Sequence, residues 1–142
     1  MLYEVDDIML EFKDDFTKED YIRLRNLVSW NVLDDEQIQN IITNSSYKFS
    51  ALENGKVVAI VRCITDNAYL YLLCDVMVDP LYQGKGVGKM MLLEFINYLK
   101  VKINNKYAKL YIMSLKGKEG FYKSLGFSED YATGLTKIFE VK

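Results

Sequence analysis

The spacing of apolar and polar residues predicts strands and helices that alternate along the chain. In the first third of the sequence, Thr17 can cap a helix whose first turn is acidic, and Asp34 or Asp35 can cap another. Isoleucines recur at helical spacing in the second of these segments. The predicted elements are a strand at 8–12 and helices at 17–28 and 34–43.

The middle of the chain has the pattern of an antiparallel meander. Asn54-Gly55 separates two β-rich runs, and this pair favours a type I′ turn because both positions need a positive φ. Asp66-Asn67 is interpreted as a second, two-residue turn. The predicted strands are 47–53, 56–65 and 68–78.

The remaining segments complete a sheet that is covered by helices. The apolar helix predicted at 86–101 has a core face formed by Val87, Met91, Leu92, Phe95, Ile96 and Leu99. Further elements are strands at 109–114 and 135–141 and a short helix at 118–125. We therefore expect one α/β (α+β) domain over residues 1–142, with a mixed six- to seven-stranded sheet and helices on both faces.

Composition narrows the function classes. Net charge is −2 and the pI is about 5.2, so a nucleic-acid partner is not expected. The first residues lack a basic segment followed by an apolar run, and no apolar run approaches the ~20 residues of a membrane span. We expect a cytoplasmic protein without a membrane partner, either a monomer or a homodimer.

Cysteine and histidine usage excludes several chemistries. The sequence has no histidine, so zinc sites of the usual Cys/His kind and a catalytic histidine are excluded, and we expect no metal. A two-residue turn at 66–67 would pair Cys63 with Leu70 and Cys74 with Ala59. The two thiols would then lie too far apart for a disulfide, so we predict free, buried cysteines.

The segment with the clearest chemistry is a glycine-rich loop between a strand and an apolar helix. Glycines at 84, 86 and 88 allow left-handed backbone and leave space for a ligand, and the unpaired N–H groups of the following helix attract phosphate. Lys85 and Lys89 add positive charge. A Walker loop does not fit, because Gln83 stands where its first glycine belongs. The dinucleotide fingerprint does not fit either, because the glycine spacing is G-x-G-x-G.

The loop Gln83-Gly84-Lys85-Gly86-Val87-Gly88 resembles the acyl-CoA loop of the GNAT superfamily of N-acetyltransferases, [Q/R]-x-x-G-x-[G/A]. A second block, residues 117–127, is similar to the family's "FY…GF" helix and contains Phe121-Tyr122 and Gly126-Phe127. One helix and one strand separate the two blocks, as in the family. Two departures are Leu115, where many members carry Asn, and Lys118, where a small residue is common.

The resemblance implies roles for named residues. Residues Gln83 to Lys89 would bind acetyl-CoA, the cosubstrate, and the backbone N–H groups from Gly84 to Lys89 would hold its pyrophosphate. The strand before the loop would splay from its parallel neighbour, so that its backbone around Met77 and Val78 pairs with the pantetheine arm. Tyr122 would protonate the departing CoA thiolate; the alternative is a core tyrosine.

The acceptor side is less defined. Asp75 lies among apolar residues just before the part of the strand expected to bind CoA, and it is either a general base or a hydrogen-bonded carboxylate at a β-bulge. Trp30, in the link between the first two helices, either lines an acceptor pocket or packs in the core.

The sequence therefore indicates an acyltransferase that moves an acetyl group to the primary amine of a small molecule. The amine would attack the acetyl group directly. The alternatives are an acetyltransferase of a protein N-terminus, a lysine or an aminoacyl-tRNA, and a non-catalytic CoA-binding module.

Overall fold

A six-stranded mixed sheet organises the first 112 residues of the chain. The strands lie in the order β1-β2-β3-β4-β5-β6, antiparallel except for the parallel pair β5 and β6. The strands are β1 Tyr3–Val5, β2 Ile8–Lys13, β3 Tyr47–Glu53, β4 Lys56–Thr65, β5 Leu70–Val78 and β6 Lys109–Ile112. The helices are α1 Lys18–Leu27, α2 Asp35–Asn44, α3 Val87–Ile103 and α4 Glu119–Lys123, and a 3-10 helix covers Pro80–Tyr82.

The computed structural model describes residues 1–130 and 132–140. The chain divides into two compact units, residues 1–112 and 113–142. The first contains the whole sheet with α1, α2 and α3, and the second contains α4.

Capping residues define the starts of α1 and α2 as predicted. Thr17 accepts a hydrogen bond from the Asp20 N–H, and the Asp20 carboxylate accepts one from the Thr17 N–H. Asp34 and Gln37 form the same reciprocal arrangement before α2. Each pair satisfies N–H groups that a helix start otherwise leaves without partners.

The helices cover both faces of the sheet, which confirms the predicted fold class. On one face, Tyr21 and Leu24 of α1 pack with Ile60 and Met77 of the central strands. On the other face, Phe49 of β3 lies 5.4 Å from the Phe95 ring of α3, measured between ring centroids. The predicted core face of α3 is buried at five positions and half-buried at the sixth, Ile96.

The Asn54-Gly55 turn is confirmed, because Glu53 pairs with Lys56 and both turn residues have positive φ, 50° and 79°. The first strand is confirmed, but it belongs to a hairpin that the sequence did not reveal: β1 precedes it and pairs Val5 with Ile8.

The prediction of a two-residue turn at 66–67 is wrong. The Asp66 carboxylate accepts hydrogen bonds from the N–H groups of Ala68, Tyr69 and Leu70, which makes a four-residue connection between β4 and β5. Asp66 therefore stabilises a wider loop than the predicted one.

The predicted pairing of the two cysteine-bearing strands is also wrong. Cys63 pairs with Leu73, and the register then shifts so that Cys74 has no paired residue in β4. The register argument against a disulfide therefore fails, although both thiols are free, as predicted. Cys63 is buried and Cys74 is half-buried.

The strand predicted at 135–141 is not formed over 135–140, which have no regular secondary structure and are exposed. Position 141 lies outside the described residues. Within the described chain, none of the helices is long and apolar enough to cross a membrane.

Candidate functional site

The feature that defines the site is an open edge on the second half of β5. Its parallel neighbour β6 pairs with it only from Leu70 to Leu73, where the last pair is Leu73 with Ile112. β5 continues to Val78, and on this edge no other strand of the described residues pairs with it. On this edge, the backbone donors and acceptors of the second half of β5 therefore pair with no strand of the described residues.

The direction of the peptide groups follows from the ladder with β4. The Asp79 N–H donates to the Val58 carbonyl at 2.8 Å, and Met77 lies opposite Ile60 in the same register. Because alternate residues of an antiparallel strand face opposite neighbours, Val76 and Val78 direct their N–H and C=O groups to the open edge. Val76 was missing from the sequence prediction, whereas Met77 faces β4 and buries its side chain.

The chain between β5 and the glycines is held by three side-chain hydrogen bonds. The Asp79 carboxylate accepts from the Leu81 N–H at 2.9 Å and caps the 3-10 helix. The Tyr82 hydroxyl donates to Glu53 in β3 at 2.6 Å, and this bond raises the pKa of Tyr82. The Gln83 amide donates to the Val78 carbonyl at 2.9 Å. The start of the loop is thus tied to the sheet.

The loop itself presents the start of α3 without a side-chain cap. Gly86 is the N-cap residue with a φ of 84°, and Gly84 also has a positive φ of 73°. The first N–H groups of α3 receive no capping bond from a side chain and lie at the positive end of the helix dipole. Lys85 and Lys89 are exposed, Val87 is buried and Gly88 lies in the first turn. The arrangement suits an anionic ligand.

The two loop glycines with positive φ differ in what surrounds them. A Cβ at Gly84 would meet no atom within 4 Å, so this position is open. A Cβ at Gly86 would come within 2.9 Å of the Val5 side chain of β1. Gly86 is therefore required by its backbone conformation and by packing against β1, and of these two glycines Gly84 alone has the expected free space.

Asp75 is buried in an ion pair beneath the open edge. Its Oδ2 accepts from the Arg62 guanidinium at 2.7 Å and from the Tyr21 hydroxyl at 2.6 Å. Burial, together with the neighbouring carboxylate, raises the pKa of Tyr21 to about 12. Asp75 also lies opposite Arg62 at the irregularity of the ladder. These contacts are those of the structural alternative, a hydrogen-bonded carboxylate at a bulge.

Trp30, in the link between α1 and α2, lies next to the polar side chains that surround Asp75. The Arg25 guanidinium lies 5.6 Å from the Trp30 ring centroid and donates to the Tyr21 hydroxyl at 3.3 Å and to the Asn31 carbonyl at 3.0 Å. Trp30 is half-buried and packs against the core on this face of the sheet. The structure thus connects Trp30 to Asp75 through Arg25 and Tyr21.

Tyr122 lies in α4, in the second compact unit, and is described with its own neighbours. Its ring packs edge-to-face against Phe121 at 5.1 Å and Phe127 at 5.9 Å between centroids. Burial raises its pKa above the ordinary value of 10.0. Both Phe121 and Tyr122 are half-buried, so neither aromatic ring of the pair is fully in a core.

The sequence did not reveal Val5, Tyr21, Arg25 or Arg62 as parts of this region. One signal was available: Arg62 interrupts an otherwise apolar strand, and Asp75 interrupts the next one. Two opposite charges in adjacent buried strands require each other as partners.

The open strand edge, the glycine loop and the uncapped helix follow one another along the chain, so backbone groups without a strand partner and the positive end of a helix dipole belong to one continuous segment. Residues 44–129 match the family model of the acetyltransferase (GNAT) domain. Since this match covers more than half of the 142 residues, the chain belongs to the GNAT acetyltransferase family.

Individual relatives agree with this assignment. The chain is 26% identical over 131 residues to an uncharacterized N-acetyltransferase, ycf52, of Pyropia yezoensis, and the match covers 89% of this chain and 74% of that protein. It is 30% identical over 78 residues to histone acetyltransferase TAP1 of Glycine max, covering 55% of this chain and 32% of that protein. A crystal structure of a probable acetyltransferase from meticillin-resistant Staphylococcus aureus has a TM-score of 0.77 at 20% identity, covering 92% and 100% of the two chains. That structure shows the fold alone.

Proposed function

We propose that this protein is an acetyl-CoA-dependent N-acetyltransferase that acts on the primary amine of a small molecule, by direct attack in a ternary complex. The observation that carries the proposal is the open edge of β5, which ends in a loop tied to that edge and an uncapped α3. The match of residues 44–129 spans both compact units, which supports one acetyltransferase domain over residues 1–142. A cytoplasmic location stays a prediction.

Acetyl-CoA supplies an acyl group activated as a thioester. In the proposed site, the peptide groups of Val76 and Val78 bind the amide-bearing arm as an added strand would. The N–H groups from Gly84 to Lys89 hold the pyrophosphate, with Lys85 and Lys89 adding positive charge. These backbone contacts fix where the thioester lies along β5.

The proton steps are assigned to side chains. Tyr122 holds a proton for the departing thiolate, and its raised pKa keeps the phenol protonated at neutral pH. Asp75 is the candidate base of the sequence analysis, but its charge is paired with Arg62 and its Oδ2 already accepts two hydrogen bonds. Its contacts therefore support a structural role, and the base that deprotonates the amine is a separate group or a water chain.

The acidic pI of about 5.2 supports a small acceptor over a tRNA. A lysine side chain is the second candidate, supported by the similarity to the soybean histone acetyltransferase over 78 residues. A panel of small amines, an N-terminal peptide and a lysine peptide separates these acceptors by the rate of CoA release.

Cofactor binding is tested with acetyl-CoA by calorimetry and by the rise in melting temperature. Gly84→Glu should lower the affinity at least tenfold, because its carboxylate would repel the pyrophosphate. Gly55→Glu is the matched control, since Gly55 has the same sign of φ, 79°, and the same open surroundings, but lies in the β3–β4 turn. Absence of binding by the wild type refutes the proposal, and binding without turnover on any amine favours a non-catalytic CoA-binding module.

A further inference from the structure

The Gln83 side chain bonds to the open edge that the proposed function assigns to the cofactor. Its Nε2 donates to the Val78 carbonyl at 2.9 Å, across five residues of sequence. Val78 is the last residue of β5, and its carbonyl faces the edge that β6 leaves open. The loop and the open edge are therefore in direct contact through one exposed side chain.

This contact joins two parts of the site that bind different parts of one ligand. The edge offers backbone groups to an amide-bearing arm, and the loop offers N–H groups to an anion. A carbonyl oxygen has two lone pairs, so Val78 can accept from Gln83 and from a ligand amide together. The bond fixes the loop relative to the edge and leaves one lone pair of the carbonyl for a ligand.

We propose that Gln83 is a positioning residue that holds the glycine loop in register with the open edge, so that both parts of the cofactor bind at once. The inference rests on the proposed function. Gln83 acts here through the Val78 carbonyl and not as a ligand of the cofactor. Loss of the Gln83 side chain should therefore lower the affinity for a ligand that spans the edge and the loop. It should leave unchanged the affinity for a ligand that binds the edge alone.

The test compares Gln83→Met, which keeps a similar side-chain length without the N–H donor, with the wild type. Calorimetry measures the Kd of acetyl-CoA, and NMR titration measures the Kd of S-acetylpantetheine, which lacks the nucleotide. Acetyl-CoA should bind about fivefold more weakly to Gln83→Met, the equivalent of one net hydrogen bond, and S-acetylpantetheine equally well. The ¹³C resonance of the Val78 carbonyl should shift as its donor is removed.

Gln39→Met is the matched control, because Gln39 makes a similar exposed side-chain bond, to Thr43 at 3.1 Å, within α2. It should change neither Kd. Tighter binding of both ligands to Gln83→Met would show that Gln83 competes for the Val78 carbonyl and would overturn the inference. Equal weakening of both ligands with a lower melting temperature would overturn it as well. If the wild type binds acetyl-CoA and Gln83→Met binds it equally, only the role of Gln83 fails; if the wild type does not bind, the proposed function fails.

Discussion

Replacing Asp75 with asparagine separates a structural carboxylate from a catalytic base. The change keeps the shape of the side chain and one acceptor oxygen but removes the charge that faces Arg62. The Arg62 and Asp75 side chains are 12% and 9% exposed, so little solvent screens the pair. A buried guanidinium without its counter-charge destabilises the folded state.

The size of the effect follows from the contacts. Removing one partner of a buried ion pair costs about 3–5 kcal/mol, and hydrogen bonds to charged groups contribute about 1.5–3 kcal/mol each. Since asparagine can still accept one bond, we expect the free energy of unfolding to fall by about 3 kcal/mol. For a chain of this size this corresponds to a melting temperature lower by about 10 °C.

Urea denaturation followed by the fluorescence of Trp30, the single tryptophan, measures this change. Asp7→Asn is the control, because Asp7 is exposed and its φ of 62° suits asparagine equally. Adding Arg62→Met should make the double variant more stable than the sum of the two single effects, since no unpaired charge then remains. Unchanged stability of Asp75→Asn with kcat reduced a hundredfold would refute the reasoning and identify Asp75 as the base.

Four further predictions concern other parts of the molecule. Tyr122→Phe should lower kcat by roughly 10²-fold with little change in acetyl-CoA affinity, and an intact kcat would make Tyr122 a packing residue. Cys63→Ser and Cys74→Ser should each keep most turnover, because burial raises the pKa of both thiols, that of Cys63 to about 12; an acetylated cysteine found by mass spectrometry would contradict this. In the folded protein the pKa of the Cys63 thiol lies above its ordinary value of 9.0, so the protonated thiol favours the folded state fully below pH 9. This contribution is lost as the pH rises toward 12, and the melting temperature should fall with it. Cys63→Ala should make that fall in melting temperature smaller. Gly86→Ala should lower the melting temperature, and Val5→Ala should recover the part due to the clash but not the part due to positive φ; no recovery would show that the two positions do not touch.

Local signals predicted those elements whose chemistry lies within a few residues. Asn54-Gly55 defines its turn because both residues tolerate positive φ, and Thr17 and Asp34 cap helices with groups three residues away. The Asp6-Asp7 turn was missed although both residues have positive φ, because this pair is not among the usual signals for such a turn. The turn at Asp66-Asn67 was predicted too short, because the Asp66 carboxylate accepts hydrogen bonds from three backbone N–H groups further along the chain. The identity of the two residues alone does not reveal these bonds.

The glycine loop of the site was predictable by its resemblance to a family, but its surroundings were not. The open edge of β5 depends on where the pairing with β6 stops, and this is a property of two strands that are distant in sequence. The bond from Tyr21 to Asp75 joins residues 54 positions apart, and Val5 meets Gly86 from the other end of the chain. Such contacts arise from tertiary packing, which no local pattern records.

The edge of β5 also has a consequence for how the protein behaves without a ligand. An unpaired strand edge can pair with the edge of another molecule, and natural sheets oppose this with outward-pointing charges or proline. From Cys74 to Val78 the single charged side chain is that of Asp75, and it is buried. A bound acyl-CoA arm would cover the same backbone groups. We therefore expect concentrated ligand-free protein to self-associate along this edge, and coenzyme A in the buffer to keep it dispersed.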